Sequence, residues 1–135
     1  MSTETELQKY LFDALTGDAG VMALVDGVYD RVPADPFGAN ETYVSFGPHT
    51  LLEDDADCIT ADRHDIQIDV WSRTVGKVAC KTAGHAIRRL LHRREVEMTT
   101  NALAMIEVAS VRYMTDRDGL TTHGVISVVA VVEEP

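Results

Sequence analysis

The segment 62–73, DRHDIQIDVWSR, constrains the fold more than any other part of the chain. Its apolar residues Ile66, Ile68 and Val70 occupy alternate positions, which is the pattern of a β-strand with one buried face. The opposite face reads Asp65, Gln67, Asp69 and Trp71. Trp71 is the only tryptophan in the protein. A core built on the first face therefore leaves the largest side chain on the other side of the strand.

Length and composition indicate one globular domain. The chain has 135 residues, of which 45% are hydrophobic and 25% are charged, and we predict a single domain over residues 1–135. No apolar run approaches the roughly 20 residues that span a bilayer, and the opening MSTETELQKY lacks the features of a secretory signal. We expect synthesis in the cytoplasm, no membrane partner, and free thiols at Cys58 and Cys80.

The charge balance argues against sequence-specific recognition of nucleic acid. The chain carries 22 acidic and 12 basic residues, for a formal net charge of −10. Proteins that grip DNA neutralise its phosphates with clustered cations, whereas this chain as a whole repels them. Such a protein can still lie next to DNA without binding it.

Three helices are predicted from hydrophobic periodicity. The first covers residues 3–16, with a capping box formed by Thr3 and Glu6 and an end at Gly17. Its apolar stripe comprises Leu7, Tyr10, Leu11, Ala14 and Leu15. Asp18 is expected to cap a short second helix that ends near Gly27. The third covers residues 75–94, with Ser72 or Thr74 as its cap. Its predicted buried side comprises Val78, Ala79, Thr82, Ala86, Ile87, Leu90 and Leu91. The arginines at its end complement the helix dipole and need no ligand.

The remaining segments predict strands and loops. TYVSFG (residues 42–47) reads as a short strand, and residues 30–41 and 48–62 read as loops, the second one acidic. The last third reads as a hairpin that turns at Asp118-Gly119. Its final strand is apolar on both faces, so we expect helices on one side and a neighbour against the face that holds Val129 and Val131. The expected fold class is α+β: a mainly antiparallel sheet of about four strands, helices on one face, in the order α-α-β-β-α-β-β.

No arrangement of residues predicts catalysis. The chain lacks the usual nucleophile-elbow, zinc-protease and phosphate-loop motifs. His49, His64 and His123 have no ligand partner at metal-binding spacing. The acidic run from Glu53 to Asp57 resembles a calcium loop only in composition. We predict that the protein is not an enzyme and holds no catalytic residues, cofactor or metal.

Several segments, taken in order, resemble a known family. They are LTGDAGVMALVDGVYD, TYVSFG, the acidic loop, HDIQIDVWSR, the amphipathic helix and the hairpin YMTDRDGLTTHGVISVVAVVEE. This series is similar to the tail-completion, or tail-terminator, proteins of long-tailed phages and their relatives in gene transfer agents. The resemblance covers nearly the whole chain.

The resemblance implies a structural protein of the virion or gene-transfer-agent particle, located in the tail or neck. It implies a homo-oligomer, a hexameric ring at the head-proximal end of the tail, that ends polymerisation of the tail-tube protein. It also implies a head-side stopper or connector as partner, and DNA that passes through the ring without sequence-specific binding. No catalytic site or cofactor is expected in this family.

A ring gives roles to residues that the core does not use. Head-to-tail rings join two different patches, and tryptophan often dominates interface energy. The predicted subunit interface comprises Trp71, Asp69, Gln67, Val129 and Val131. The acidic residues Glu53, Asp54, Asp55 and Asp57 are predicted to face the channel or a partner. For Trp71 one alternative stays open: a β-bulge near Asp69 could bury it in its own core.

Two other functions remain open from the sequence. One is another neck or tail-tube subunit of a phage-like particle, which for a tube protein implies long polymers. The other is a small cytoplasmic ligand-binding or enzymatic domain, which implies a pocket with convergent polar groups.

Overall fold

The computed structural model describes residues 1–135 as three helices on one face of a five-stranded sheet. In chain order the elements are α1 (Thr3–Thr16), α2 (Ala19–Met22), β1 (Val28–Tyr29), β2 (Thr42–Glu53), β3 (Thr60–Ser72), α3 (Val78–Leu91), β4 (Ala102–Thr115) and β5 (Thr122–Glu134). The strand order is β1-β2-β3-β5-β4, and only β1 runs parallel to its neighbour. The predicted α+β class is confirmed. The sheet has five strands because the two-residue β1, which is too short for a periodic signal, pairs with β2.

One face of the sheet forms the core together with the helices. Ile66, Ile68 and Val70 of β3 are buried there, beside Ile126 and Val128 of β5. The first helix contributes Leu7, Leu11 and Leu15, all fully buried. The predicted bounds of this helix and its apolar stripe are therefore confirmed.

The predicted capping box at the start of α1 is wrong. The Ser2 hydroxyl accepts the hydrogen bond from the Thr5 amide. Glu6 instead accepts hydrogen bonds from the amides of Thr100 and Asn101, at 2.9 and 2.7 Å. This buried carboxylate thus ties the covering helix to the segment that leads into β4, a contact that sequence spacing does not reveal.

The third helix is shorter than predicted, and its predicted buried side is only partly right: Ile87 and Leu91 are buried, and Ala86 and Leu90 pack against the core. It begins at Val78 because Gly76 has a φ of +77°, outside the helical region, and the Ser72 hydroxyl is bonded to Thr42. It ends at Leu91. The residues it buries are Cys80, Ala83, Gly84, Ile87 and Leu91, whereas Val78 and Thr82 are exposed. Gly84 permits this because Tyr113 lies where a side chain would be.

The predicted acidic loop is mostly strand. β2 runs on to Glu53 and β3 begins at Thr60, so the two strands form a long hairpin with residues 54–59 as its tip. The register shift between Phe46 and His49 changes the parity of β2 and hides its periodicity. The predicted turn at Asp118-Gly119 is confirmed, with Gly119 at a φ of +73°.

Candidate functional site

Trp71 lies on the face of the sheet that no helix covers. β3 pairs with β5 without interruption from Thr60 to Ser72, so no bulge near Asp69 reverses its alternation. The bulge alternative is therefore wrong. Residues 67, 69 and 71 lie on this uncovered face with their cross-strand partners Ser127, Val125 and His123. We call this surface the open face.

Three rings form a row across the open face. Trp71 stacks on His123 with ring centroids 3.7 Å apart and planes inclined by 10°, and Tyr43 lies on its other side at 6.4 Å. These residues are direct neighbours in register on β2, β3 and β5. The indole Nε1 donates a hydrogen bond to the Ser45 hydroxyl at 3.0 Å. The row, defined as Tyr43, Trp71 and His123, is half-buried, and Phe37 packs edge-on against Tyr43 with ring centroids 4.9 Å apart.

A carboxylate fixes the row from one side. Asp69 is only 6% exposed, and its Oδ1 is 2.7 Å from both the Gln67 amide nitrogen and His123 Nε2. Gly47 leaves room for it, because a side chain at that position would meet Asp69 Oδ2. Burial, together with the charges of Asp69 and Asp116, raises the pKa of the Tyr43 hydroxyl. The network holds the stacked rings in one geometry before any partner arrives.

The other half of the open face is aliphatic. Val125, Val129 and Val131 of β5 point to it, opposite Arg112, Glu107 and Met105 of β4. Val129 is 9% exposed, while Val125 and Val131 are half-buried. The structure thus brings all five predicted interface residues onto one surface, and their role in a subunit interface stays a prediction. A two-sided apolar strand with one covered face is typical of a subunit that assembles further.

The hairpin between β2 and β3 ends in an acidic, exposed projection. We call residues 52–60 the arm, and every one of them is exposed. It carries Glu53, Asp54, Asp55 and Asp57, and no cation lies within ion-pair distance of these four side chains. Asp55 stabilises the tip by accepting a hydrogen bond from the Ala61 amide. Their predicted role, to face the channel or a partner, stays a prediction.

Two histidines that are far apart in sequence meet beneath α1. His49 Nε2 and His64 Nδ1 lie 2.8 Å apart, and His64 is fully buried. Burial lowers the pKa of both imidazoles, and the neighbouring His49 lowers that of His64 further. Sequence spacing missed this pair because the register shift in β2 brings them together. No group of three or more potential ligands is arranged to hold a metal ion.

The largest concavity is a groove of about 680 Å³ between α1 and the segment 94–100. Its lining includes Tyr10, Leu90, Arg94, Val96 and Met98. Three of the four carboxylates in its lining are already engaged: Glu6 by two backbone amides, Asp13 by Lys9 and Asp18 by the Val21 amide. The groove therefore offers few free polar groups to a ligand. None of the helices is both long and apolar enough to cross a membrane.

The fold and its open face define a class of protein: a small α+β subunit built for assembly. The family model described as "Tail completion protein gp17" matches residues 9–133. The chain therefore belongs to this family, and the resemblance predicted from the sequence is confirmed. Its role is structural, in a phage-type tail, and its place is in the tail of the particle.

One solved structure shares the whole fold. A chain in "Virion of native gene transfer agent (GTA) particle" superposes with a TM-score of 0.86 at 22% sequence identity, and the match covers 98% of both chains. At this level of sequence identity, the structural similarity shows a shared fold. No curated protein matches the chain significantly.

Proposed function

We propose that this chain forms a hexameric ring at the head-proximal end of a phage-type tail. There it ends polymerisation of the tube protein and joins the tail to a stopper or connector on the head. DNA passes through the ring without sequence-specific contact. The open face is the observation that carries the proposal, since this side of the sheet, with Trp71 near one end, lacks a layer of helices.

The composition of the open face supports a permanent contact between subunits. Val129 and Val131 supply apolar area, and removing such area from water contributes about 25 cal/mol per Å². Trp71 adds a rigid aromatic surface of the kind that dominates interface energies. Asp69 is hydrogen-bonded to both Gln67 and His123, so a partner that covers these side chains does not break their hydrogen bonds.

The net charge of −10 supports passage of DNA through the ring. Phosphates bind to surfaces that release counterions from clustered cations, and an acidic protein offers few of them. A ring of such subunits lets the duplex move past it. In this role the protein carries no catalytic residue and needs no cofactor.

The oligomeric state of the purified protein tests the proposal. Native mass spectrometry and light scattering over a wide range of concentrations should show one closed species of six chains. Added to growing tail tubes, the protein should stop elongation and appear at one end of each tube in electron micrographs.

Two results would overturn the proposal. A chain that stays single at high concentration and also beside tube ends is no terminator. Long filaments formed by the chain alone would identify a tail-tube subunit instead, because a heterologous contact that does not close grows without limit.

A further inference from the structure

Half of the Lys and Arg residues of this acidic protein lie in α3 and in the residues that flank it. Residues 77–94 hold six of the twelve Lys and Arg residues and none of the 22 carboxylates. The rest of the chain therefore carries six cations against 22 carboxylates. All six are exposed, and none lies within ion-pair distance of a carboxylate. They are Lys77, Lys81, Arg88, Arg89, Arg93 and Arg94.

This helix also exposes apolar side chains near its start. Val78 is 76% exposed, and Val75, just before the helix, is fully exposed. Lys77 and Lys81 stand beside them along the chain. The outer face of α3, defined as the exposed side chains of residues 75–94, therefore offers positive charge around a small apolar patch, and no element of the same subunit covers it.

The arm has the complementary character. It carries four carboxylates without a cation and two exposed apolar side chains, Leu52 (53% exposed) and Ile59. In an isolated subunit, an exposed leucine and isoleucine at the end of a projecting hairpin leave apolar surface in contact with water. They fit a surface that is apolar at its centre and cationic around it.

The arm cannot reach the start of α3 in its own subunit. β3 is 13 residues long, which corresponds to roughly 40 Å at ~3.3 Å per residue. The arm joins its first residue, whereas the start of α3 packs at its other end, where Cys80 contacts the Val70 carbonyl. The arm and the start of α3, where Val75, Lys77, Val78 and Lys81 are located, thus lie at opposite ends of the sheet, as the two patches of a head-to-tail contact require.

We propose that the arm of one subunit docks on the outer face of α3 of a second copy of this chain. In this contact Leu52 and Ile59 meet Val75 and Val78, and the carboxylates of the arm meet Lys77 and Lys81. The inference rests on the proposed ring and names a contact that holds it together. The open face and α3 lie on opposite sides of the sheet, so a head-to-tail arrangement turns one subunit's open face toward its neighbour's helices.

DNA is the other polyanion that this helix could attract. The arm is the better occupant because it matches both the charge and the apolar side chains of the face. A phosphate backbone matches the charge alone. Moreover, the 22 carboxylates of each subunit repel a duplex that approaches the helix.

Charge reversal with rescue tests the contact. Asp54→Lys/Asp57→Lys alone and Lys77→Glu/Lys81→Glu alone should each weaken self-association by about tenfold or more, because like charges then face each other. All four changes in one chain should restore it, as should an equimolar mixture of the two variants. Asp30→Lys/Asp35→Lys, which reverses two exposed carboxylates outside the arm, is the matched control and should assemble normally. Unfolding curves of each variant show that the fold is intact.

Cross-linking provides a second readout. Cys58 lies in the arm and is exposed, whereas Cys80 is buried. A Val78→Cys variant treated with a short thiol cross-linker should give covalent oligomers up to the size of the ring. The Val32→Cys variant, which also replaces an exposed valine, should give monomers.

The outcomes separate this contact from the ring itself. If both charge variants form the same rings as the wild-type protein, the contact is overturned and the proposed function still holds. Loss of duplex-DNA binding in Lys77→Glu/Lys81→Glu, with ring formation unchanged, would assign the helix to DNA and also overturn it. A wild-type chain that never associates would overturn both proposals.

Discussion

The two faces of the sheet are built from the same strands but differ in what they contribute. On the covered face, Ile68, Val70 and Val128 are in contact with the helices and are almost completely shielded from water. On the open face, Trp71 and Val125 are half-buried by neighbours on adjacent strands alone. The covered face therefore supplies the stability of the subunit. The open face leaves its surface available for the proposed contact with another subunit.

The difference shows how one strand can serve both purposes. β5 is apolar on both sides, with Ile126, Val128 and Ala130 under the helices and Val125, Val129 and Val131 opposite. The side chains of Gln67, Asp69, Trp71 and His123 form hydrogen bonds within the open face, so this part of it tolerates water before assembly and loses little when it is covered. Subunit folding and subunit assembly can then be changed separately by substitution.

Replacing two valines of β5 gives the most direct contrast. Val128→Ala, under the helices, should lower the free energy of unfolding by roughly 2–3 kcal/mol, because it removes two buried methyl groups and leaves a cavity. Val125→Ala, on the open face, should cost less than about 1 kcal/mol. Urea denaturation of the two variants, measured at a concentration where the protein is monomeric, makes the comparison. Equal losses would mean that the faces do not differ as described.

Trp71→Ala should separate folding from assembly. The subunit should stay folded at a cost of about 1–2 kcal/mol, the sum of one aromatic contact and one hydrogen bond. Light scattering should show that it no longer self-associates. Trp71→Phe, which keeps the stack on His123 and loses the hydrogen bond to Ser45, should retain partial assembly. An alanine variant that assembles like wild type would remove Trp71 from the interface.

Acid should lower the stability of the subunit by protonating Glu6, which links α1 to the segment before β4. Burial alone would raise the pKa of this carboxyl, but hydrogen bonds from the amides of Asn101 and Thr100 outweigh it, so the pKa lies below its ordinary value of 4.5. The stabilisation is therefore complete above pH 4.5 and is lost as the pH falls through the lowered pKa. Glu6→Gln should cost about 1 kcal/mol near neutral pH and should show a smaller acid-induced loss. Unfolding curves measured near neutral pH and below pH 4.5 test this. An identical loss of stability in acid for the wild-type and variant proteins would exclude Glu6 as the source of that loss.

Asp69→Asn should have the smallest effect on the subunit. The side chain keeps its shape but loses its charge, so the contacts with Gln67 and His123 weaken by less than about 1 kcal/mol. A changed stacking of Trp71 on His123 should appear in the tryptophan fluorescence. A loss as large as that of Val128→Ala would show that the open face also contributes to subunit stability.

The sequence predicted those elements whose side chains interact mainly with near neighbours. The α1 helix, its leucine stripe, the strand ending at Ser72 and the Asp118-Gly119 turn depend on local periodicity and turn chemistry, and all are present. The errors fall where distant contacts decide. The length of β2 depends on pairing with β3 across a register shift, and the buried side of α3 depends on Tyr113 against Gly84.

The candidate site divides in the same way. Alternation along β3 determined that Trp71 and Asp69 share a face, because successive side chains of any strand point to opposite sides. The ordered segments from the first helix to the last hairpin determined the family. Only the tertiary structure stacked Trp71 on His123 and placed the acidic arm and the start of α3 at opposite ends of one sheet. Strand register and helix docking set these positions, and both depend on contacts between residues far apart in the chain.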